Sequence, residues 1–332
     1  MLEPISPQVA VEQYLKGRTD LGQSSRANYE YRLRKFVQWC QQNDVDNLND
    51  LTGRKLHEYK VWRSQGLSNV SLKKQLGTVR MFLRFCENID AVPSGISEKL
   101  ELPDLGFGED VDDTMLSPKE AETVLEYLQR FEYATMRHAI FHTLWHTGIR
   151  MSTLRAFDVT DFYPNEGYLR AVHRPDSGTP LKNRERGERE ININSKLVSI
   201  LTDWVEKQHP RIEDEYGRMP LIGTNQGRAH GTTIRTNIYK LTRPCEYTNE
   251  CPHGEKPADC EATKPDGASK CPSSVSPHAI RKGSITYHRN KGWPTEAISD
   301  RADVSSEVLE KHYDKGTVSE KRKRREKFLD RL

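Results

Sequence analysis

A strongly acidic stretch about a third of the way along the chain limits what the sequence can fold into. Residues 101–113 (ELPDLGFGEDVDD) hold six acidic residues, two glycines and one proline, and no lysine or arginine. This composition is typical of a solvated linker, because it offers few side chains to a hydrophobic core. We therefore predict a first domain over residues 1–100, a linker over 101–116 and a second domain over 117–332. A length of 332 residues agrees with two domains.

The composition excludes several classes of protein. With 35% hydrophobic residues the chain can form a packed core, which excludes disorder along its whole length. No run approaches 18 apolar residues, and the first residues lack the basic and apolar segments of a secretion signal. We therefore expect a cytoplasmic protein without a transmembrane helix. The net charge of +3 is uneven, since residues 1–100 sum to +4 and the remainder to −1.

Apolar residues recur at helical spacing through the first domain and predict a bundle of four helices. The helices are expected near residues 9–15, 29–40, 51–64 and 70–88. Ser24 and Ser25 are capping candidates for the second helix, and Thr52 for the third. A basic outer face on helices two to four could follow a DNA backbone, although such a face taken alone is more often an ordinary solvated surface. Its members are Arg32, Arg34, Lys35, Arg54, Lys55, Lys60, Arg63, Lys73, Lys74 and Arg80.

The second domain is predicted to be mostly helical, with a small sheet inserted. Ser117 and Pro118 indicate a capped helix start, and two strands near 167–172 and 188–194 enclose a basic turn. Further helices are expected near residues 117–130, 132–147, 195–208, 230–243, 277–291, 294–301, 305–314 and 317–331.

Four separated segments hold side chains suited to phosphate chemistry: HTGIRMSTLRAFDVTDF, TPLKNRERGERE, SPHAIRKGS and VLEKHYD. Gly148 allows a tight helix junction before Arg150, and His278 and Arg281 share one helical face on which both can reach one anion. Each residue alone also has a structural explanation, such as a salt bridge, a hairpin tip, a helix cap or a core tyrosine. The candidate residues are Arg150, Lys182, His278, Arg281 and Tyr313.

The order of these residues resembles the tyrosine recombinase (phage integrase) family, most of all its archaeal viral or plasmid integrases. T-G-x-R-x-x-x-L stands at 147–154, H-x-x-R at 278–281, and EKHYD places Tyr313 32 positions after Arg281. The resemblance covers nearly the whole chain. It implies a mainly α fold, with an N-terminal four-helix core-binding (SAM-like) domain and a C-terminal mixed α/β catalytic domain containing a small antiparallel sheet.

The resemblance also implies roles in cutting and rejoining DNA. Arg150 and Arg281 would clamp the scissile phosphate, and His278 would donate a hydrogen bond or move a proton. Lys182 would protonate the departing 5′ oxygen, and Tyr313 would form a 3′-phosphotyrosine link. Two guanidinium groups can neutralise the charge that gathers on the phosphate oxygens, so the chemistry needs neither a metal ion nor ATP.

Some positions depart from the family pattern or remain open. Thr153 stands where the family often has Glu, and Val304 where a third-box His or Trp is usual; Arg301 or His312 could substitute for the latter. Asp161 lies where the family often has an acid, which would orient the site. These departures keep open a DNA-binding regulator that has the fold but does not cleave.

Four cysteines crowd into an insert over residues 244–272 that is rich in proline and glycine. They are Cys245, Cys251, Cys260 and Cys271. Four thiolates in such a segment fit a structural zinc ion, and His253 could replace one of them. Two disulfides are the alternative if the compartment is oxidising. Since Cys271 lies seven residues before His278, we expect a zinc site to support the helix that carries His278.

The C-terminal segment over residues 320–330 (EKRKRREKFLD) is basic and could contact phosphates. Phe328, Leu329 and Leu332 form a possible apolar edge for docking on a neighbouring protomer. The sequence thus predicts a site-specific recombinase or integrase that works as a homotetramer on double-stranded DNA with paired recognition sites. A chromosome dimer-resolving recombinase and a type IB topoisomerase are the alternatives with the same chemistry.

Overall fold

The computed structural model describes residues 2–106, 108, 109, 112–313 and 317–326. The chain forms two compact units, Met1–Asp112 and Asp113–Leu332, and the boundary falls inside the predicted linker. Among the described residues, no helix is both long enough and apolar enough to cross a lipid bilayer.

The first unit contains the four predicted helices. They are α1 (Pro7–Gly17), α2 (Gln23–Gln42), α3 (Gly53–Ser64) and α4 (Asn69–Asn88). The apolar positions with helical spacing form its core, in which Phe36 packs edge-on against Tyr59 and Phe82. The Thr52 hydroxyl accepts a hydrogen bond from the amide of Lys55, as its predicted role as a cap requires.

The predicted caps of α2 are wrong. Ser24 and Ser25 lie in the first turn of the helix, because α2 begins directly after Gly22, which offers no side chain to cap it. The predicted and observed starts of α2 differ by only a few residues, and the sequence pattern defines the ends of helices less precisely than their middles.

The predicted basic face of the first unit is smaller than expected. Arg63 is only 9% exposed, and its Nε donates to the side-chain oxygen of Gln75 at 2.6 Å, so its assignment to the outer surface is wrong. Arg80 donates to the carbonyl of Leu100 at 3.1 Å from Nε. These two arginines stabilise the helices and their connection to the acidic segment.

Both ends of the predicted linker over 101–116 pack against their own units. Leu102 contacts the core of the first unit, and Glu101 lies 3.4 Å from the ammonium of Lys60. Leu116 is buried in the core of the second unit. The part of the chain without core contacts is therefore shorter than the predicted linker over 101–116.

The second unit consists of helices and a small antiparallel sheet. Its helices are α5 (Pro118–Phe131), α6 (Met136–Thr147), α7 (Met151–Ala156), α8 (Ser195–Asp203), α9 (Gly231–Leu241), α10 (Pro244–Thr248), α11 (Pro277–Asn290), α12 (Thr295–Ala302), α13 (Ser306–His312) and α14 (Val318–Glu326). The sheet has the order β1 (Phe162–Tyr163), β2 (Tyr168–Ala171) and β3 (Arg189–Asn192), and a separate hairpin pairs β4 (Gly223–Thr224) with β5 (Gly227–Arg228). A π-helical turn over Trp204–Gln208 extends α8.

The start of α5 confirms the predicted cap. The Ser117 hydroxyl accepts from the amide of Glu120 at 3.2 Å, and the Glu120 carboxylate accepts from the amide of Ser117 at 2.9 Å. Together with Pro118 at the first helical position, this reciprocal pair satisfies donors that a helix start otherwise leaves unpaired.

Helix α11 packs closely against α6 and the chain before α5. A Cβ atom on Gly283 would lie 2.1 Å from the carbonyl oxygen of Leu116 and 3.0 Å from the ring of Trp145. The amide of Leu116 also donates to the carbonyl of Ala279 at 3.2 Å. Only a glycine permits this approach, which sets the position of α11 in the core.

Candidate active site

Arg150 is placed by the junction between α6 and α7. Gly148 ends α6 in the left-handed conformation with φ of +65°, and a Cβ there would lie 3.2 Å from Ser284 Oγ. The predicted tight junction is therefore present, and it requires glycine for both reasons. Arg150 follows as the residue before α7, and its Nη1 donates to the carboxylate of Asp303.

Helix α11 carries His278 and Arg281. His278 lies in its first turn and is exposed, whereas Arg281 is 1% exposed. Nη1 of Arg281 donates to two carbonyl oxygens, that of Gly148 at 2.8 Å and that of Ala302 at 2.7 Å. Burial lowers the pKa of Arg281, yet an arginine keeps its charge in proteins. The guanidinium is thus a fixed, charged group at the centre of the site.

Arg281 retains a donor that the surrounding protein does not use. Its Nη2 is buried and finds no hydrogen-bond acceptor among the described residues. Leaving a buried donor unpaired costs free energy, so such groups are rare in folded proteins and often mark a binding site. An oxyanion at this position would satisfy the donor.

Tyr313 meets both of these residues. Nε of Arg281 donates to the tyrosine hydroxyl at 3.3 Å, and the guanidinium lies 5.3 Å from the ring centre. The rings of His278 and Tyr313 are 5.7 Å apart at 64°. Thr286 Oγ1 donates to the carbonyl of Tyr313 at 2.7 Å, which fixes the end of α13 against α11. Tyr313 is 6% exposed.

An apolar cluster supports the ring of Tyr313. Its other members are Ile285, Ile298, Ala302, Val304 and Leu309. Val304 is thus a packing residue, which explains why an apolar side chain stands where a polar third-box residue was expected.

The two proposed substitutes do not fill that position among the described residues. Arg301 donates to the carbonyls of Asn192 at 2.6 Å and His146 at 3.2 Å, so its guanidinium is bound to the end of β3 and to α6. Burial lowers the pKa of Arg301 to about 10. The side chain of His312 lies outside the described residues.

Three arginines gather at the C-terminal end of α12. Arg189 donates from Nε to the carbonyl of Arg301 at 3.0 Å, Arg281 donates to the carbonyl of Ala302, and Arg150 pairs with Asp303. The C-terminal carbonyls of a helix carry partial negative charge, which favours cations there. Burial lowers the pKa of Arg189 to about 10, and the nearby Asp303 opposes this effect.

Lys182 lies in the predicted turn between β2 and β3 and is exposed. Its neighbour Asn183 donates from Nδ2 to Asp303 Oδ1 at 2.6 Å. The turn that carries Lys182 therefore contacts the same carboxylate as Arg150, whereas no hydrogen bond joins Lys182 to Tyr313 among the described residues.

Asp161 does not join this site. Its carboxylate accepts from the amide of Asp158 at 2.9 Å and from Arg174 Nη2 at 2.6 Å, so the prediction that it orients the site is wrong. It caps a short turn before β1 instead. Thr153, where the family often has Glu, is buried in α7.

Sequence reasoning missed three residues of this site: Asn183, Arg189 and Asp303. Arg189 reaches a backbone carbonyl, which leaves no trace in the pattern of residue types. Asp303 is an uncommon residue with a positive φ of 54° at the end of a helix. One feature of the sequence could have indicated Asp303. It is an acidic residue directly before Val304, the expected third-box position, and the sequence pattern assigns no acidic partner to Arg150.

The cysteine insert has its own contacts. The amide of Val275 donates to Thr242 Oγ1 at 2.9 Å, and Arg243 Nη1 donates to the carbonyl of Ala262 at 2.5 Å, which fixes the insert between α9 and α11.

All six cysteines are free thiols, so the alternative of two disulfides is not realised. His253 contacts Ser273 Oγ at 2.9 Å. Among the described residues, no three His, Cys, Asp or Glu side chains are close enough to hold a metal ion.

Comparison with known proteins agrees with this architecture. Residues 11–88 match the family model of the phage integrase N-terminal SAM-like domain. The chain belongs to the phage integrase (tyrosine recombinase) family. The N-terminal domain of a phage integrase/site-specific recombinase from Haloarcula marismortui is 33% identical, covering 30% of this chain and 99% of that one, with a TM-score of 0.30. No curated protein sequence matches the chain.

Two solved integrase structures share the fold over nearly the whole chain. The Tn1549 transposon integrase in complex with a circular intermediate DNA has a TM-score of 0.68 at 14% identity, covering 99% of this chain and 100% of that one. A lambda integrase dimer bound to a COC′ core site has a TM-score of 0.64 at 12% identity, covering 95% and 79%. The mainly α fold with a small antiparallel sheet is thus confirmed.

Proposed function

We propose that the protein is a site-specific DNA recombinase that cuts and rejoins strands through a covalent link between Tyr313 and a 3′ phosphate. The observation that carries this proposal is the contact between the buried Arg281 and the Tyr313 hydroxyl, with an unpaired guanidinium donor beside it. A cation held next to a phenol, together with a vacant donor for an oxyanion, suits attack on a phosphodiester.

Each residue has a role that follows from its position. Tyr313 Oη attacks the phosphorus, and the bond from phosphorus to the 5′ oxygen breaks. As Tyr313 Oη bonds to the phosphorus, its proton passes to His278, whose ring lies 5.7 Å from that of Tyr313. The guanidinium of Arg281, in hydrogen-bond contact with the same hydroxyl, stabilises the negative charge on the attacking oxygen. Arg150 and Arg281 bind the non-bridging oxygens, while the exposed His278 donates a hydrogen bond at the rim.

Lys182 supplies the proton that the departing 5′ oxygen needs. An exposed lysine on a turn can reach a DNA strand outside the protein surface, and an ammonium group is a competent general acid. In the reverse step, a 5′ hydroxyl of the same or another strand attacks the phosphotyrosine. The bond energy is thereby kept, so rejoining requires no ATP.

The test is covalent capture of DNA. A randomised pool of nicked duplexes is incubated with the protein, because the fragment lost at a nick prevents rejoining and the adduct survives denaturation. We expect labelled DNA to remain attached to the native protein and to disappear with Tyr313→Phe. Tyr287→Phe is the matched control, since Tyr287 lies on α11 and its ring packs against Trp145 of α6.

Two outcomes would contradict the proposal. If the native protein binds DNA and forms no adduct with any captured sequence, the non-cleaving regulator is favoured. If the adduct survives Tyr313→Phe, cleavage uses another nucleophile.

We extend the proposal to a homotetramer on double-stranded DNA with paired recognition sites. Exchange between two duplexes requires four strands to be cut, and the described site of one chain contains one tyrosine. Four chains would therefore supply one tyrosine for each strand. Helix α14 is basic and is tied to α11 by Asn290, which donates to Glu320 at 2.9 Å. The edge formed by Phe328, Leu329 and Leu332 lies outside the described residues. Sedimentation of the protein with captured DNA tests the assembly, and a monomer on each site would contradict it.

A structural zinc ion remains a proposal. It is supported by four free thiols in one short insert and by the electrostatic influence of Cys251 and Cys271 on Cys245, whose pKa is raised first of all by burial. The thiols are not gathered into a site, so binding would require the insert to rearrange. Metal analysis of the native protein and of Cys260→Ser, with Cys86→Ser as the control, tests it. The archaeal source and the cytoplasmic location also stay predictions.

A further inference from the structure

The carboxylate of Asp303 joins two elements that the proposed reaction needs. One oxygen accepts from Arg150 and the other from Asn183, which adjoins Lys182 in the turn between β2 and β3. The side chain of Asp303 is 11% exposed and that of Arg150 27%, so the pair is largely shielded from water. A shielded ion pair holds its geometry better than a surface pair, because water competes less for its donors.

The end of α12 fixes the backbone position of Asp303. Asp303 has a left-handed conformation, with φ of 54° and ψ of 62°, directly after α12. Aspartate and asparagine tolerate this conformation better than most residues. The amide of Asp303 donates to the carbonyl of Asp300 at 3.2 Å, and the next amide, that of Val304, donates to Ser299. The backbone of Asp303 is therefore held by the end of the helix, and its carboxylate by the contacts with Arg150 and Asn183.

Charge balance shows what the carboxylate does. Arg150, Arg189 and Arg281 gather at the end of α12, and their mutual repulsion would spread them apart. Asp303 offsets part of this repulsion, so a net positive charge remains for a phosphate. Since a guanidinium offers five donors in a fixed fork, Arg150 can hold Asp303 with one and retain others for an oxyanion.

We propose that Asp303 is a positioning residue that orients Arg150 and holds the turn carrying Lys182 beside it. The proposal rests on the proposed recombinase function and names a residue on which its active site depends. Without the carboxylate, Arg150 would sample other conformations, and the turn would lose its link to the end of α12. Both changes slow cleavage, because a catalytic group displaced by about 1 Å can cost up to a hundredfold in rate.

The closest test is Asp303→Asn. This variant keeps the size of the side chain, tolerates the left-handed backbone and retains an oxygen for Asn183, but it removes the charge. Glu296→Gln is the control, because it removes one charge from an exposed site on the same helix. The rate of adduct formation on a captured nicked duplex, the Kd for that duplex without the nick and the melting temperature are measured for all three proteins.

We expect Asp303→Asn to slow adduct formation by the folded protein by about tenfold or more, whatever fall in melting temperature accompanies the loss of the ion pair, and Glu296→Gln to match the native protein. Asn183→Ala should also slow the reaction. The variant with both substitutions, Asp303→Asn and Asn183→Ala, should lose less rate than the product of the two single fold-losses, because both residues act on one contact. A purely structural residue would instead lower the melting temperature and leave the rate of the folded fraction unchanged.

Three results would overturn the inference. Equal rates for Asp303→Asn and the native protein would show that Arg150 needs no partner. A faster variant would show that the carboxylate competes with the phosphate for Arg150. Absence of any adduct with the native protein would overturn the proposed function itself, and with it this inference. The first two results differ from this one, because in both of them the native protein still forms the adduct.

Discussion

Gly283 offers the sharpest test of how the core positions Arg281. Replacement by alanine would place a Cβ 2.1 Å from the carbonyl oxygen of Leu116, whereas carbon and oxygen atoms ordinarily approach to about 3.3 Å. The backbones must therefore separate by about 1 Å. This movement stretches the hydrogen bond from Leu116 to Ala279, now 3.2 Å, and opens the contact with Trp145. Overpacking of this kind costs about 1–3 kcal/mol, and the weakened hydrogen bond adds to it.

We expect Gly283→Ala to lower the free energy of unfolding of the second unit by about 3 kcal/mol. For a unit of this size that corresponds to a fall in melting temperature of about 6–12 °C. Differential scanning calorimetry measures it, and adduct formation should slow as well, because Arg281 lies two residues away on the same helix. Gly77→Ala is the matched control: it too is a helix glycine, but no heavy atom lies within 4 Å of its Cβ position. Its variant should be stabilised by about 0.5–1 kcal/mol. An unchanged melting temperature for Gly283→Ala would refute the packing argument.

Two further predictions concern stability. Burial lowers the pKa of His138 to about 4, of His142 to about 3 and of His146 to about 4. The unfolded chain therefore binds protons that the folded one excludes, so the free energy of unfolding should fall as pH drops below about 6.5, by about 1.4 kcal/mol per pH unit for each histidine. Urea denaturation measures this free energy, and in His142→Gln it should depend less steeply on pH. A pH dependence equal to that of the native protein would count against the prediction. Ser117→Ala removes the reciprocal cap with Glu120 and should cost about 1 kcal/mol, measured by urea denaturation; a change within error would show that the cap contributes nothing.

The helices could be predicted because each has an apolar face with regular spacing. This holds for α11 and for α4, in which the apolar residues that recur at helical spacing are buried, namely Leu72, Leu76, Val79, Phe82, Leu83 and Cys86. Strands β1, β4 and β5 were missed, because a strand of two residues has no alternation to detect.

The candidate site was predictable only where residue type carries the role. The motif around Arg281 and Tyr313 indicated residues that the fold does bring together. Asp161 was misassigned, because an aspartate before a turn caps its own backbone as readily as it serves a distant site. Arg189 escaped notice because it acts on a carbonyl, a group that every residue possesses.

The gathering of three arginines on the end of α12 has a consequence for the order of folding. This helix has eight residues, too few to persist alone in water. Its partners Arg150 and Arg189 come from more than a hundred residues earlier in the chain, so these contacts close long loops and form late. We therefore expect a chain that is still folding to lack an organised cluster of cations beside Tyr313. Under the proposed function, cutting ability would arise only with these late contacts, and a partly folded or newly synthesised copy would pose little danger to the DNA around it.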